Sequence, residues 1–158
     1  MRTRGFAAIG LDGPKDRNNV GSVLRAAHCF GAGMIAIRGT RYKRAATDTT
    51  AAYRHTPLIL CEDLHSVVPF DCVPVAVDLV PGAVPLAEYR HPERAFYVFG
   101  PEDGTLGARV LTWCRDVVYI PTSECLNLAA CVNVVLYDRA AKRGEWLGAR
   151  KLAAGAAQ

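Results

Sequence analysis

The sequence lacks any hydrophobic run long enough to cross a membrane, because no apolar stretch approaches the ~20 residues that a bilayer-spanning helix needs. It also lacks a secretory signal, since the apolar stretch after Arg2 and Arg4 stops at Asp12 and is too short for that role. Internal repeats, low-complexity segments and an interdomain linker are missing as well. We therefore expect a cytoplasmic protein with a single domain over residues 1–158, of which residues 151–158 are frayed.

A pattern of paired cysteines is also lacking. The six cysteines include no Cys-x-x-Cys pair, which zinc sites and redox motifs commonly show. Several of them lie inside apolar segments, so we expect reduced thiols packed in the core and no bound metal. The six are Cys29, Cys61, Cys72, Cys114, Cys125 and Cys131.

The chain has no large excess of charge of either sign. Its formal net charge is +4 and its pI is near 8.8, which is compatible with a nucleic-acid partner but does not indicate one. Hydrophobic residues make up 51% and charged residues 22%, which is ordinary for a globular protein and excludes an intrinsically disordered chain.

What the sequence does contain is an alternation of strand-like and helix-like segments. The expected strands are residues 5–11, 34–37, 58–60, 73–77, 95–99 and 117–120, and the expected helices are 20–30, 46–53, 106–113 and 126–137. Asn18 or Asn19 is expected to cap the first helix. This alternation predicts an α/β fold, a mainly parallel sheet with helices on both faces.

The last predicted helix, residues 126–137, is apolar on almost every side and is interrupted only by Asn127 and Asn133. Such a helix is expected to be covered all round, by its own domain or by a second subunit. A buried amide that lacks a partner costs about 1–3 kcal/mol, so both asparagines need hydrogen bonds. Asn127 either caps the helix and braces the loop before it, or belongs to a loop that holds a ligand.

Three polar loops follow predicted strands, where ligands bind in parallel sheets. The first carries Asn19-Val20-Gly21 with Arg25 further along the helix, the second is Gly100-x-Glu102-x-Gly104, and the third is residues 120–127. Each is a weak signal alone, because a Gly-x-Glu-x-Gly is usually a tight turn and a helical arginine is usually a surface group.

In this order, the three stretches resemble the SPOUT superfamily of RNA methyltransferases, in its SpoU (TrmH-type) ribose-methylating branch. The matching residues are Asn19-x-Gly21-x-x-x-Arg25 with Phe30-Gly31, then Val98-Phe99-Gly100-Pro101-Glu102-x-Gly104, then Ile120-Pro121 and Leu126-Asn127-Leu128-x-Ala130. The resemblance runs from about residue 6 to residue 143.

The resemblance implies a fold whose C-terminal segment is threaded into a trefoil knot, and a homodimer with composite sites. It further implies binding of S-adenosylmethionine in the knot, against the loops after three strands. The implied cofactor-binding residues are Val77, Asp78, Leu79, Gly100, Glu102, Gly104, Ile120, Cys125 and Leu126.

The implied reaction transfers the methyl group of the cofactor to a ribose 2′-hydroxyl of tRNA or rRNA. The resemblance gives Arg25 the catalytic role, with Asn19, Glu102 and Asn127 bracing the site. A guanidinium keeps its proton up to a pH above about 12, so Arg25 either acts as a strongly perturbed base or orients the hydroxyl and stabilises the developing oxyanion.

Recognition of RNA is expected from the domain itself, because no separate RNA-binding domain precedes residue 6. The expected footprint is basic with aromatic residues for stacking, and consists of Arg38, Arg41, Tyr42, Lys43, Arg44, Tyr53 and Arg54. A solvated charged loop is the plainer interpretation of the same residues.

Two features depart from the family pattern. Cys125 stands where the family usually has serine, and the loop at residues 121–125 is shorter than in many members. We expect Cys125 to be a packing residue rather than a nucleophile. Two other functions remain open, namely a non-catalytic RNA-binding or assembly module with the same fold, and a base-methylating SPOUT enzyme.

Overall fold

A computed structural model of the chain describes residues 5–39 and 54–144. Within these ranges the strands are β1 Phe6–Asp12, β2 Met34–Arg38, β3 Leu58–Cys61, β4 Val73–Val77, β5 Val84–Pro85, β6 Arg94–Phe99 and β7 Asp116–Tyr119. The helices are α1 Arg17–Phe30, α2 Gly107–Leu111 and α3 Leu128–Arg143, and single 3-10 turns lie at His65–Val67 and Leu86–Glu88.

The seven described strands form one sheet in the order β3-β2-β1-β6-β4-β7-β5, and every neighbouring pair is parallel. The predicted α/β architecture with a parallel sheet is therefore confirmed. The two-residue strand β5, Val84–Pro85, was not predicted. Two residues are too few to show the alternation of apolar and polar side chains that indicates a strand. The helix predicted at residues 46–53 lies outside the described residues.

Alternate side chains of the central strands enter two separate cores, as the pleat of a strand requires. Ile9 and Tyr97 lie on the face that α1 and α3 cover, together with buried residues of both helices. Ala8 and Phe96 lie on the opposite face, which is covered by Val110 of α2 and by loop residues that include Leu64 and Leu106. The sheet is thus buried on both sides.

Helix α1 begins three residues earlier than predicted. Asp16 is its N-cap, and the Asp16 carboxylate accepts a hydrogen bond from the backbone N–H of Asn18 at 2.7 Å. The expectation that Asn18 or Asn19 caps this helix is therefore wrong, because the aspartate one turn earlier already satisfies the exposed N–H. As a consequence, the side chain of Asn19 is available for contacts outside the helix.

Helix α3 begins at Leu128 and runs to Arg143, well past the predicted end. Val132 and Val135 are fully buried, whereas Val134 is 38% and Tyr137 57% exposed. The domain itself therefore does not cover α3 on all sides, as one of the two alternatives had predicted. The prediction that both amides are buried is also wrong, since Asn127 and Asn133 are exposed. No described helix, α3 included, is long and apolar enough to span a membrane.

All six cysteines lie in the described ranges and all are free thiols, as predicted. Four of them, Cys61, Cys72, Cys114 and Cys131, are partly buried and pack against the core. The expectation is wrong for Cys29 and Cys125, which are exposed.

Candidate active site

The carboxyl ends of β1, β6, β4 and β7 lie side by side, because these four strands are consecutive in the sheet. The loops that leave them are residues 13–16, 100–106, 78–83 and 120–127. These include the second and third polar loops singled out in the sequence, while the first continues into Asn19 of α1. A parallel sheet thus brings residues from distant parts of the chain to one edge, where ligands bind in this architecture.

The carboxylate of Glu102 is held by donors from the loop after β1. It accepts hydrogen bonds from the backbone N–H of Lys15 at 2.9 Å, from that of Asp16 at 3.4 Å and from Nδ2 of Asn19 at 2.8 Å. Burial alone would raise the pKa of Glu102, but the bonds from Lys15 and Asn19 outweigh it, so this pKa lies below its ordinary value. Glu102 is therefore an anchored carboxylate anion at neutral pH.

Asn19 connects Glu102 to the third loop. Its Nδ2 donates to Glu102, while its Oδ1 accepts a hydrogen bond from Nδ2 of Asn127 at 2.7 Å. Asn127 is the N-cap of α3, and its Oδ1 accepts from the backbone N–H of Ala129 at 2.8 Å. Glu102, Asn19 and Asn127 thus form one continuous hydrogen-bonded chain across three loops. Asn127 thus uses both amide atoms: Nδ2 contacts Asn19, and Oδ1 caps α3. Both contacts fit the bracing role predicted for it.

A second contact between the same loops was not predicted. Lys15 forms an ion pair with Asp103 through its side chain, in addition to the hydrogen bond that its N–H gives Glu102. Exposed ion pairs contribute about 0–1 kcal/mol, so the backbone contact is the stronger link. Sequence reasoning missed Lys15 because a backbone donor carries no side-chain signature.

Asp78, predicted to bind the cofactor, braces two loops. Its carboxylate accepts hydrogen bonds from the backbone N–H of Leu79 at 2.8 Å and of Leu106 at 2.9 Å. Its own N–H donates to the carbonyl of Val118 at 2.9 Å. Asp78 therefore fixes the loop after β4 against the loop after β6 and the end of β7. Its part in binding a ligand stays a prediction.

Apolar residues flank this polar chain. Val77 and Ile120 are partly buried against the core, whereas Leu79 is 72% and Leu126 37% exposed. Large apolar side chains that remain exposed beside anchored polar groups are typical of a ligand site. Cys125 lies in the same loop as Leu126 and is also exposed.

The backbone at Gly100 passes close to the neighbouring loop. A Cβ at this position would lie 3.2 Å from the backbone nitrogen of Leu106, which is tighter than nearly all real Cβ contacts. Glycine therefore allows the chain to turn here without a clash. At the other predicted glycine, the N–H of Gly104 donates to the carbonyl of Pro101 at 3.3 Å and closes the turn that carries Glu102.

Arg25 lies on α1, is exposed, and makes no side-chain hydrogen bond or ion pair with any described residue. The structure does not bring it into contact with Glu102, Asn19 or Asn127. Its guanidinium is thus free to meet an external partner, and its catalytic role stays a prediction.

The predicted RNA footprint is described only at its ends. Arg38, at the end of β2, forms an ion pair with the buried Asp12, and this hydrogen bond raises the pKa of Arg38. Asp12 also lies 3.4 Å from a guanidinium nitrogen of Arg109. Arg54 is exposed, whereas Arg41, Tyr42, Lys43, Arg44 and Tyr53 lie outside the described residues. The footprint therefore stays a prediction.

The groups found at the carboxyl edge of the sheet can form hydrogen bonds and hold loops or a ligand in position. Among residues 5–39 and 54–144 no group of three or more His, Cys, Asp or Glu side chains is arranged to hold a metal ion. The oxygens of Glu102 are occupied by internal donors, so this carboxylate is better suited to hold loops in place than to accept a proton from a substrate.

Residues 7–137 match the model of the SpoU rRNA Methylase family. No curated protein matches the chain significantly by sequence.

Solved structures share the fold. The SpoU methyltransferase AviRb from Streptomyces viridochromogenes superposes with a TM-score of 0.77 and 20% identity, over 89% of this chain and 60% of that chain. It has also been solved in complex with AdoMet. The TrmH/SpoU tRNA modifying enzyme from A. aeolicus gives a TM-score of 0.79 and 17% identity, over 91% of this chain and 78% of that chain.

A third structure, described in terms of the 2-OH methylation of C/U34 on tRNA, gives a TM-score of 0.76 and 23% identity, over 90% of this chain and 99% of that chain. The chain thus spans about 60% of the length of AviRb, but almost all of this shorter relative.

Proposed function

The chain belongs to the SpoU rRNA methylase family, and from this premise we propose that it transfers a methyl group from S-adenosylmethionine to a ribose 2′-hydroxyl of tRNA or rRNA. The observation that carries the proposal is the hydrogen-bonded chain of Glu102, Asn19 and Asn127. These three residues come from the three motifs that match the ribose-methylating branch, and they meet at the ligand-binding edge of the sheet.

The residues at this edge fit S-adenosylmethionine. Gly100 lets the loop after β6 turn tightly beside Leu106, and the exposed Leu79 and Leu126 offer apolar surface to an adenine ring. We propose Val77, Asp78, Gly104, Ile120 and Cys125 as the other residues that hold it. When bound, the cofactor supplies an electrophilic methyl group on a sulfonium.

In the reaction, the ribose oxygen forms a bond to the methyl carbon as the carbon–sulfur bond breaks, and the hydroxyl proton is released. An alcohol is a poor nucleophile near neutral pH, so the protein must orient the hydroxyl and stabilise the charge that develops on oxygen. Arg25 is suited to that task, since its guanidinium has no partner among the described residues and an arginine offers five N–H donors in a rigid planar arrangement. Glu102, Asn19 and Asn127 hold the loops in register.

We further propose that the protein acts in the cytoplasm as a homodimer. Val134 and Tyr137 leave an exposed apolar strip on α3, the helix that Asn127 of the site caps. A second copy that covers this strip would lie next to the site and could complete it. We also propose that the C-terminal segment is threaded into a trefoil knot, as the resemblance to the family implies.

The test is methyl transfer from S-adenosylmethionine carrying a labelled methyl group to bulk tRNA and to total rRNA, followed by nuclease digestion and mass spectrometry. We expect label in 2′-O-methylated nucleosides, and we expect the Arg25→Ala variant to incorporate label at least about 10²-fold more slowly. Asn133→Ala is a matched control, because Asn133 donates only to the carbonyl of Ala129 in its own helix.

Two other results would contradict the proposal. Label in a methylated base would indicate a base-methylating enzyme, and a failure to bind S-adenosylmethionine in calorimetry would indicate a non-catalytic RNA-binding module.

A further inference from the structure

Three arginines, Arg17, Arg25 and Arg90, make no side-chain hydrogen bond or ion pair within residues 5–39 and 54–144, and all three are exposed. Arg17 and Arg25 lie on α1, the helix that carries Asn19. Arg90 lies in the loop before β6, at the opposite edge of the sheet. The two unpaired cations of α1 are therefore on the element that enters the proposed active site.

The acidic side chains around Arg17 are engaged by other groups. Glu102 accepts three hydrogen bonds, Asp103 pairs with Lys15, and Asp16 accepts the backbone N–H of Asn18. Within the described part of the chain, the guanidinium of Arg17 is thus left without a counter-ion. Nothing in the described fold explains why a long cationic side chain stands at this position.

The spacing of the two arginines suits an extended polyanion. Eight residues separate Arg17 from Arg25, which places their Cα atoms about 12 Å apart along the helix and rotates them by about 80° from each other. Gly21, which lies between them on the helix, is buried and has no side chain. Both can contact one ligand that runs along the helix.

We propose that Arg17 binds a backbone phosphate of the RNA substrate, next to the nucleotide whose ribose is presented to Arg25. The inference rests on the proposed function, and it adds to the predicted RNA footprint a residue of α1 that lies outside residues 38–54. Arginine is suited to this role because its planar guanidinium donates two parallel hydrogen bonds to a phosphate and stays charged.

Stability measurements can separate this role from a structural one. A cation in the first turn of a helix is unfavourable, because the N-terminus of a helix carries partial positive charge. If the only role of Arg17 is to stabilise the fold, Arg17→Glu should lower the melting temperature. If it serves RNA, the same variant should be at least as stable as the wild type and yet bind RNA more weakly.

The experiment measures binding of bulk tRNA and total rRNA at several salt concentrations for the wild type, Arg17→Glu, Arg17→Lys and Arg90→Glu. We expect Arg17→Glu to weaken binding at least fivefold and to reduce the slope of log affinity against log salt by roughly 0.7–0.9 for the lost contact. Arg17→Lys should keep most of the affinity, and Arg90→Glu, a matched charge reversal at the other edge, should bind as the wild type does. Affinity for S-adenosylmethionine should be unchanged in all four proteins.

Wild-type affinity and salt slope in Arg17→Glu, with RNA bound by the wild type, would overturn this inference and leave the proposed function standing. Equal weakening by Arg17→Glu and Arg90→Glu would also overturn it, because the effect would then be one of net charge. A shift of Arg17→Glu to a smaller species in sedimentation would assign Arg17 to subunit assembly instead. Absence of RNA binding by the wild type would overturn the proposed function as well.

Discussion

Nδ2 of Asn127 donates a hydrogen bond to Oδ1 of Asn19 at 2.7 Å, although 108 residues separate them in the chain. Because Asn19 also donates to Glu102, each of its two amide atoms holds a different loop. The position of α3, whose first turn Asn127 caps, is therefore linked directly to the loop after β6. A change in one of these loops is expected to affect the others.

Replacement of Asn19 by alanine should remove both links at once. The neutral bond to Asn127 contributes about 0.5–1.5 kcal/mol and the bond to the charged Glu102 about 1.5–3 kcal/mol, and partial exposure favours the lower ends. We expect Asn19→Ala to lose about 2 kcal/mol in urea unfolding, and to lose most of its methyl transfer. Asn133→Ala, which removes only a bond within α3, is the control. Full activity in Asn19→Ala would show that the chain of hydrogen bonds is dispensable.

The fold was largely predictable because its signals are local. Runs of β-branched and aromatic residues, such as those in β6 and β7, are short and lie between turn residues, so strands and their parallel arrangement could be inferred. Helix ends were harder to place. The start of α1 depends on which polar side chain satisfies the first free N–H groups, and Asp16, Asn18 and Asn19 all stood as candidates. The end of α3 is set by Gly144, which adopts the left-handed conformation after Arg143.

The site was predictable only where side chains carry its chemistry. Asn19, Glu102 and Asn127 could be singled out by residue type and position, and they do meet. The backbone N–H of Lys15 could not, because any residue supplies the same donor. The exposure of α3 could not be inferred either, since an apolar sequence has the same pattern whether a side chain contacts the sheet or a second subunit.

Two adjacent valines of α3 should respond differently to aspartate. Val135 is fully buried against the core, so Val135→Asp places an unpaired charge among apolar groups and should unfold the chain. Val134 is 38% exposed, so Val134→Asp should leave a folded protein that sediments as a monomer. Circular dichroism and sedimentation distinguish the two results. A dimeric Val134→Asp variant would place the subunit interface elsewhere.

A buried polar cluster fixes the far end of α3. His91 lies 2.6 Å from the hydroxyl of Tyr97 through Nδ1 and 2.7 Å from the carboxylate of Asp138 through Nε2. The adjacent Arg139, also buried, donates to the carbonyls of Pro92 at 2.6 Å and Glu93 at 2.7 Å. Burial lowers the pKa of His91 below its ordinary value, against the opposing effect of Asp138.

The pKa of His91 predicts acid sensitivity. A histidine of lowered pKa binds fewer protons in the folded than in the unfolded state, so its stabilising effect is complete above about pH 6.5 and is lost as the pH falls below that value toward the folded-state pKa. We expect the melting temperature of the wild type to fall as the pH drops below about 6.5, with a shallower fall in His91→Gln. His28→Gln, at an exposed histidine, is the control. Parallel curves for the wild type and His91→Gln would contradict the assignment.

Arg25 should act on the reaction rather than on cofactor binding. It has no partner among residues 5–39 and 54–144 and is not one of the apolar residues proposed to contact the adenine ring, so its removal should leave the fold and the cofactor site intact. Loss of a group that stabilises a developing oxyanion typically slows an enzyme by about 10²–10³-fold. We expect a loss of that size or greater in Arg25→Ala, with the dissociation constant for S-adenosylmethionine within a few-fold of the wild type. Full activity in the variant would exclude the catalytic role.

Cys125, where the chain departs from its family, should prove to be a packing residue at the mouth of the cofactor loop. Its thiol is exposed, and the loop around it is held by other groups, since the hydroxyl of Thr122 donates to the carbonyl of Glu124 at 2.7 Å. Methyl transfer from sulfur to oxygen needs no covalent enzyme intermediate, so a nucleophilic cysteine has no step to perform.

We therefore expect Cys125→Ser to keep most of the wild-type turnover, and Cys125→Ala to stay within about tenfold of it, a difference of about 1.4 kcal/mol in the barrier. Cys29→Ser, at the other exposed cysteine, is the matched control. Single-turnover rates with labelled S-adenosylmethionine measure the effect, and calorimetry confirms that each variant still binds the cofactor. If both substitutions at Cys125 abolish turnover while the cofactor remains bound, the thiol takes part in the chemistry, since neither a hydroxyl nor a methyl group can then replace it.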